Sequence, residues 1–218
     1  MIFFVKFFRY IYSLFFCLRY LPISQAVKVP IYIHHSVRIK NLKRGNIIIT
    51  APLERSMITW GFETGSDALP YMQAILFIKP EGKLVFKGSA TISAGTSIQI
   101  ERGIMEIGNQ FYCNYNCYLR CTRKIIFGEK VMLGWNITLN TSNGHQVFYQ
   151  GKEKQMEADI IIGDHVWIAS YSIICKGTQI VDNCIVSQMS LVMGNHSLPY
   201  SLIAGNPAKI IKNDYNWS

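Results

Sequence analysis

From Ile162 onward every sixth residue is aliphatic: Ile162, Ile168, Ile174, Ile180, Val186 and Val192. Four positions after each stands a small residue or valine, in the series Val166, Ser172, Thr178, Cys184 and Ser190. The position directly after each aliphatic is also small or aliphatic: Gly163, Ala169, Cys175, Val181 and Ser187. A period of six matches neither the 3.6 of a helix nor the 2 of a long strand. It fits a solenoid whose flat faces are each one hexad long, with the aliphatic residue pointing inward and the small residue turning the corner.

The repeat extends upstream with slips of phase. Ile92 and Ile98 form one run, Ile107, Cys113 and Leu119 a second, and Phe127, Leu133 and Leu139 a third. Leu139 and Ile162 are 23 residues apart instead of six, so about 17 residues are inserted. This insertion, residues 141–159, is polar, and a loop of that length in a regular solenoid usually carries function. Between Val29 and Lys87, short β-rich runs (Ile47 to Thr50, Ala74 to Ile78, Leu84 to Phe86) alternate with Gly and Pro turns, which reads as less regular coils capping the solenoid. Leu198 to Lys212 breaks the repeat at Pro199 and Pro207 and is expected to close the other end. The division is thus a terminal segment 1–28 and a solenoid 29–218, with the inserted loop 141–159 and a C-terminal cap 194–218.

Half of the 218 residues are hydrophobic, enough for a sizeable core. The net charge of +9 suits an anionic partner, but the basic residues are scattered, which argues against nucleic acid. Six cysteines (Cys17, Cys113, Cys117, Cys121, Cys175 and Cys184) fall mostly in apolar-periodic segments. They read as buried reduced thiols of a cytoplasmic protein, and the spacing of the middle three, with no C-x-x-C pair, does not point to metal. Residues 1–20 are apolar and aromatic, interrupted by Lys6, Arg9 and Arg19. As an amphipathic helix they place Lys6, Arg9, Tyr10, Ser13, Cys17 and Tyr20 on one face. Two basic residues within the segment argue against a spanning helix. Two readings remain: an interfacial helix on the inner membrane face, or a helix packed on its own body or a neighbouring subunit.

Two stretches carry a resemblance. Ile162-Gly163-Asp164-His165-Val166-Trp167-Ile168-Ala169 and the closing Ala204-Gly205-Asn206-Pro207-Ala208-Lys209 resemble the hexapeptide-repeat acyltransferases, in particular galactoside and maltose acetyltransferases and capsule or lipopolysaccharide O-acetyltransferases. The similarity runs from about Phe86 to Lys212. It implies an all-β fold, a left-handed parallel β-helix of hexapeptide coils. It further implies a homotrimer with active sites between subunits, acetyl-CoA as co-substrate lying along the prism, no metal, and a sugar or glycan acceptor.

Acetyl transfer from a thioester to a hydroxyl needs a base for the hydroxyl proton and donors for the oxyanion. Histidine suits the base because its pKa lies near working pH. The resemblance places that base at His145, in the segment Asn140-Thr141-Ser142-Asn143-Gly144-His145 at the start of the insertion. Phe111-Tyr112-Cys113-Asn114-Tyr115-Asn116 resembles a galactoside-enzyme motif and implies that Asn114 touches the reacting centre, with Tyr112, Asn143 and Trp167 toward the acceptor. For acetyl-CoA it implies Trp167, Ala169, Ser170, Ser187, Gln188 and Met193 along the pantetheine, and Lys209 and Lys212 near the phosphates. Tyr115 and Trp135 are further candidates for a sugar face. His165 is expected to face solvent and His196 to lie in the loop after the last rung. An N-acyltransferase of an amino sugar and a non-catalytic β-helix scaffold are the alternatives.

Overall fold

The computed structural model describes residues 2–63 and 72–218, with side chains from Lys6 onward. Among the described residues, strands follow one another in rotation onto three sheets of nine, seven and seven strands, parallel except for the last strand of the first, and these are the faces of a triangular prism. The first face begins at Ile31–Ile33, the second at Arg38–Lys40 and the third at Ile47–Ile49. The fold is a left-handed parallel β-helix, as the repeat and the resemblance imply.

Parallel register stacks like on like. On the first face Trp60, Ile92, Cys113, Leu133, Ile168 and Val186 lie one above another. On the second the column is Leu76, Ile98, Leu119, Leu139, Ile174 and Val192. The third holds Phe86, Ile107, Phe127, Ile162 and Ile180. All are buried. Leu133 and Ile168 are neighbours in their column although 35 residues separate them, whereas Ile168 and Val186 are 18 apart. The insertion between them therefore leaves the prism without disturbing the register.

The small residues occupy the corners and satisfy the backbone there. Ser172 Oγ donates to the carbonyls of Ala169 and Ser187, Thr178 Oγ1 to Val192 and Ser190 Oγ to Ser187. A buried carbonyl left unmet would cost about 1–3 kcal/mol, which explains hydroxyls where only small side chains fit.

The segment from Ile31 to Phe86 forms the less regular coils expected: its strands Ile31–Ile33, Arg38–Lys40, Ile47–Ile49, Ile58–Phe62, Ile75–Ile78 and Lys83–Phe86 pair in register as two further coils. Their apolar residues depart from strict hexad spacing because the turns between strands vary in length. His196 does not lie in a loop. It forms a strand with Asn195, stacks on Ile180, and is buried at the end of the third column, with Nε2 3.2 Å from Met193 O.

The end of the prism bearing Ile31–Ile33 is covered by helix α1 (Ile2–Tyr20) and a single turn, α2 (Ile23–Ala26). The opposite end closes with an antiparallel hairpin, Leu202–Gly205 against Ala208–Lys212. The six cysteines are free thiols and all but Cys175 are buried. Burial pushes the Cys17 thiol up to about 11 and the Cys121 thiol to about 12.

Candidate active site

The expected donor-site residues gather on the outer surface of the first face and the corner leading to the second. Tyr112, Met132, Trp167, Ile185 and Leu202 run along that face by strand register. Ala169 with Ser170, and Ser187 with Gln188, follow the strands Trp167–Ile168 and Ile185–Val186 around the corner. Between them lies a groove of about 440 Å³ lined by Trp167, Ala169, Ser170, Ser187 and Gln188, with Leu202 at its floor and Tyr215 and Trp217 on its wall. Ser170 is held from below: its Oγ accepts the Trp135 N–H at 3.0 Å. A Cβ on Gly134 would sit 2.7 Å from Ser170 N, so only glycine lets the coil beneath pass this close. Lys209 and Lys212 do not line the groove; they are exposed on the closing hairpin, where Lys212 pairs with Leu202 and Lys209 with Ala204.

Trp217 is the residue that the sequence reading missed. Its indole stacks on His165, with centroids 4.4 Å apart and planes 13° apart, and tilts toward Trp167 at 6.2 Å. Its Nε1–H donates to His165 O at 3.0 Å. His165 therefore does not face solvent as expected. It is half-buried under the C-terminal tail, with Nδ1 3.0 Å from Asn183 Oδ1. No local motif marks Trp217, because its indole is placed by contact with residues some fifty positions earlier.

Asn114 stands at the same corner as Ser170, two coils earlier. Its Oδ1 accepts the Tyr115 N–H at 2.8 Å, a turn-forming bond. Tyr115 is buried, so it offers no face to a sugar, while Tyr112 and Trp135 are half-buried.

His145 and Asn143 leave the prism at a different corner, between the second and third faces. Both are exposed. The loop base is nevertheless ordered: Thr141 and Ser142 are buried, the Gly144 N–H donates to Ser142 Oγ at 3.0 Å, and the Asn143 N–H donates to Met156 O at 3.0 Å. Beyond His145 the loop forms an antiparallel hairpin, Val147–Tyr149 against Lys152–Lys154, with Val147, Phe148 and Tyr149 exposed. Ion pairs Arg102–Glu157 and Arg123–Asp159, each at 2.6 Å, tie its return to the prism. Under the loop, Arg120 grips Glu101 through Nε and Nη2 at 3.2 and 2.9 Å, and Lys79 adds a contact at 3.1 Å. The Arg120 hydrogen bond holds the Glu101 carboxyl below the usual carboxylate range. Met193 also sits at this second corner, exposed and apart from Gln188. One protomer thus presents the groove and the loop histidine at separate corners.

Among the described residues no group of three or more His, Cys, Asp or Glu side chains is placed to hold a metal ion.

No family model matches the chain. It is 30% identical over 111 residues to the galactoside O-acetyltransferase of Escherichia coli, covering 50% of this chain and 53% of that one. It is 39% identical over 62 residues to a chloramphenicol acetyltransferase of Morganella morganii, covering 28% of this chain and 29% of the relative. Among solved structures, a maltose O-acetyltransferase from Clostridium difficile shares 32% identity over 50% of this chain and 58% of that chain, with a TM-score of 0.44. The chain spans about half the length of the galactoside relative. In its sequence it is similar to the hexapeptide-repeat acetyltransferases.

Proposed function

We propose that this chain is an acetyl-CoA-dependent O-acetyltransferase that modifies a hydroxyl of a surface glycan such as capsule or lipopolysaccharide. The observation that carries the reading is the first-face groove, which joins Trp167, Ala169, Ser170, Ser187 and Gln188 in one cleft, with Lys209 and Lys212 exposed on the hairpin strand that pairs with its Leu202 strand. A pantetheine chain fits a narrow, mostly apolar cleft with backbone partners, and lysines on the adjoining hairpin suit the phosphates of coenzyme A. The similarity to acetyltransferases in sequence agrees with this use.

His145 takes the proton of the acceptor hydroxyl as its oxygen attacks the thioester carbonyl. The Ser170 N–H faces the developing oxyanion. The tetrahedral intermediate then collapses, expels the coenzyme thiolate and returns the proton to it through His145. Asn114 and Tyr112 orient the acceptor. Because His145 and the groove occupy different corners, the reading calls for a homotrimer in which the histidine loop of one protomer completes the groove of its neighbour. The exposed Val147, Phe148 and Tyr149 beside His145 supply apolar surface for that contact. Buried reduced thiols suit the cytoplasm, where acetyl-CoA is made available.

The test is coenzyme A release from acetyl-CoA with capsule or lipopolysaccharide glycans as acceptors. Wild type is expected to release coenzyme A only with glycan present, and His145→Ala to be slower by roughly 10²–10⁴-fold, the usual loss for a general base. Turnover only with an amino-sugar acceptor would shift the assignment to N-acylation. A protein that neither turns over nor gains thermal stability with coenzyme A would be a scaffold.

A further inference from the structure

Helix α1 meets the body through a mixed side: Ser13, Phe16 and Cys17 are buried, and Tyr10, Tyr12, Leu14, Leu18 and Tyr20 pack against the core. Ser13 Oγ accepts the Ile33 N–H at 3.0 Å, and Cys17 Sγ lies 3.5 Å from Ile31 O. Both partners belong to the terminal strand of the first face, whose outer edge would otherwise be open. An open sheet edge needs donors and acceptors, and a hydroxyl and a thiol supply them. This rotation buries Phe16 and sends the other described phenylalanines of the helix outward. Phe7, Phe8 and Phe15 are 58%, 57% and 66% exposed, and Ile23 and Val27 after them are 65% and 60% exposed. Lys6, Arg19 and Lys28 are exposed among them. Charge is concentrated at the same end: residues 1–53 contain eight Lys and Arg and no Asp or Glu, nearly the whole net +9 of the chain.

We propose that this capped end of the solenoid docks on an anionic lipid surface, with Phe7, Phe8, Phe15, Ile23 and Val27 entering the headgroup boundary and the surrounding cations facing lipid phosphates. Basic residues around exposed aromatics are the signature of a helix that lies in the membrane interface. A second copy of the same face would set the exposed Lys6, Arg19 and Lys28 against their own counterparts, which disfavours self-association. Among the described residues no helix is long and apolar enough to cross a membrane. The His145 loop leaves the fifth coil, so at about 4.8 Å per coil its base stands roughly 20 Å above the capped end. That height suits glycan extending from the surface. This consequence rests on the acetyl-transfer reading, whereas the lipid contact does not.

The experiment is co-sedimentation of the full chain with vesicles of phosphatidylcholine alone or with about one-third phosphatidylglycerol, at low and high salt. Wild type is expected to bind the anionic vesicles and to weaken with salt. A Phe7→Ser/Phe8→Ser/Phe15→Ser variant is expected to lose at least about tenfold in partitioning with an unchanged circular dichroism spectrum. Lys6→Gln/Lys28→Gln, which removes no buried group, is expected to lose several-fold. Coenzyme A thermal shifts of both variants should match wild type, so failure of lipid binding is separable from failure of the enzyme reading. The proposal is overturned if wild type stays in solution with anionic vesicles, or if both variants bind as wild type does. It is also overturned if the phenylalanine variant loses mass by light scattering while wild type ignores vesicles, which would assign the face to a second copy.

Discussion

Ile173 and Ile174 are adjacent in one strand and identical in chemistry, so truncating each to alanine isolates the effect of which way the side chain points. Ile174 is fully buried between Leu139 and Val192 in the second column. Ile173 is 46% exposed on the outer surface. Ile174→Ala removes three carbons, about 2.4 kcal/mol at 0.8 kcal/mol per methylene. The neighbours above and below are pinned by backbone ladders, so the void cannot close. A void of roughly 80 Å³ at about 24 cal/mol per Å³ adds about 2 kcal/mol. The expected cost is therefore about 4 kcal/mol for Ile174→Ala and about 1 kcal/mol or less for Ile173→Ala. Urea unfolding at one fixed protein concentration, followed by far-ultraviolet circular dichroism, measures both, and a fixed concentration removes any contribution from assembly. Equal costs, or a larger cost at Ile173, would refute the assignment of inward and outward positions and with it the placement of the groove.

His145→Ala should lower turnover by roughly 10²–10⁴-fold with little change in thermal midpoint, because the side chain is exposed. Trp217→Ala should raise the Kd for coenzyme A about tenfold, the equivalent of one aromatic contact of about 1.4 kcal/mol; calorimetric titration giving an unchanged Kd would remove Trp217 from the groove wall. Glu101 has a folded pKa below its ordinary value of 4.5, chiefly through Arg120, so its stabilisation is fully present above that value and is lost as pH falls through the folded one. Stability of Glu101→Gln measured against pH should accordingly fall less steeply at the acid end than that of wild type. With a thiol reagent near pH 8, the native protein should label at Cys175 ahead of the other five cysteines, and in urea all six should react.

The period of six was sufficient to specify the core. Ile162, Ile168, Ile174, Ile180, Val186 and Val192 are all buried in columns, since a solenoid turns a local sequence period into contact between neighbouring coils. The same logic located the insertion at 141–159, whereas the groove residues were implied by the family resemblance. Coils between Ile31 and Phe86 escaped the pattern because variable turns shift the phase while register is restored by backbone pairing. His196 escaped it because a polar residue occupies an apolar column at the end of the prism.

What only the tertiary structure decided involves contacts between distant parts of the chain. The helical period of residues 2–20 divides a polar from an aromatic side but does not say which side turns inward. The open edge at Ile31–Ile33 decides this, because the Ile33 N–H donates to Ser13 and the Ile31 carbonyl faces Cys17, which leaves Phe7, Phe8 and Phe15 outside while Phe16 is buried. Trp217 lies on His165 and Trp167 through packing across some fifty residues, for which a local motif leaves no trace. Likewise, His145 and Ser170 read as one site along the chain, yet a triangular cross-section places them at different corners. Sequence period fixes which residues lie inside each coil, while the closure of the prism fixes which outward residues can meet.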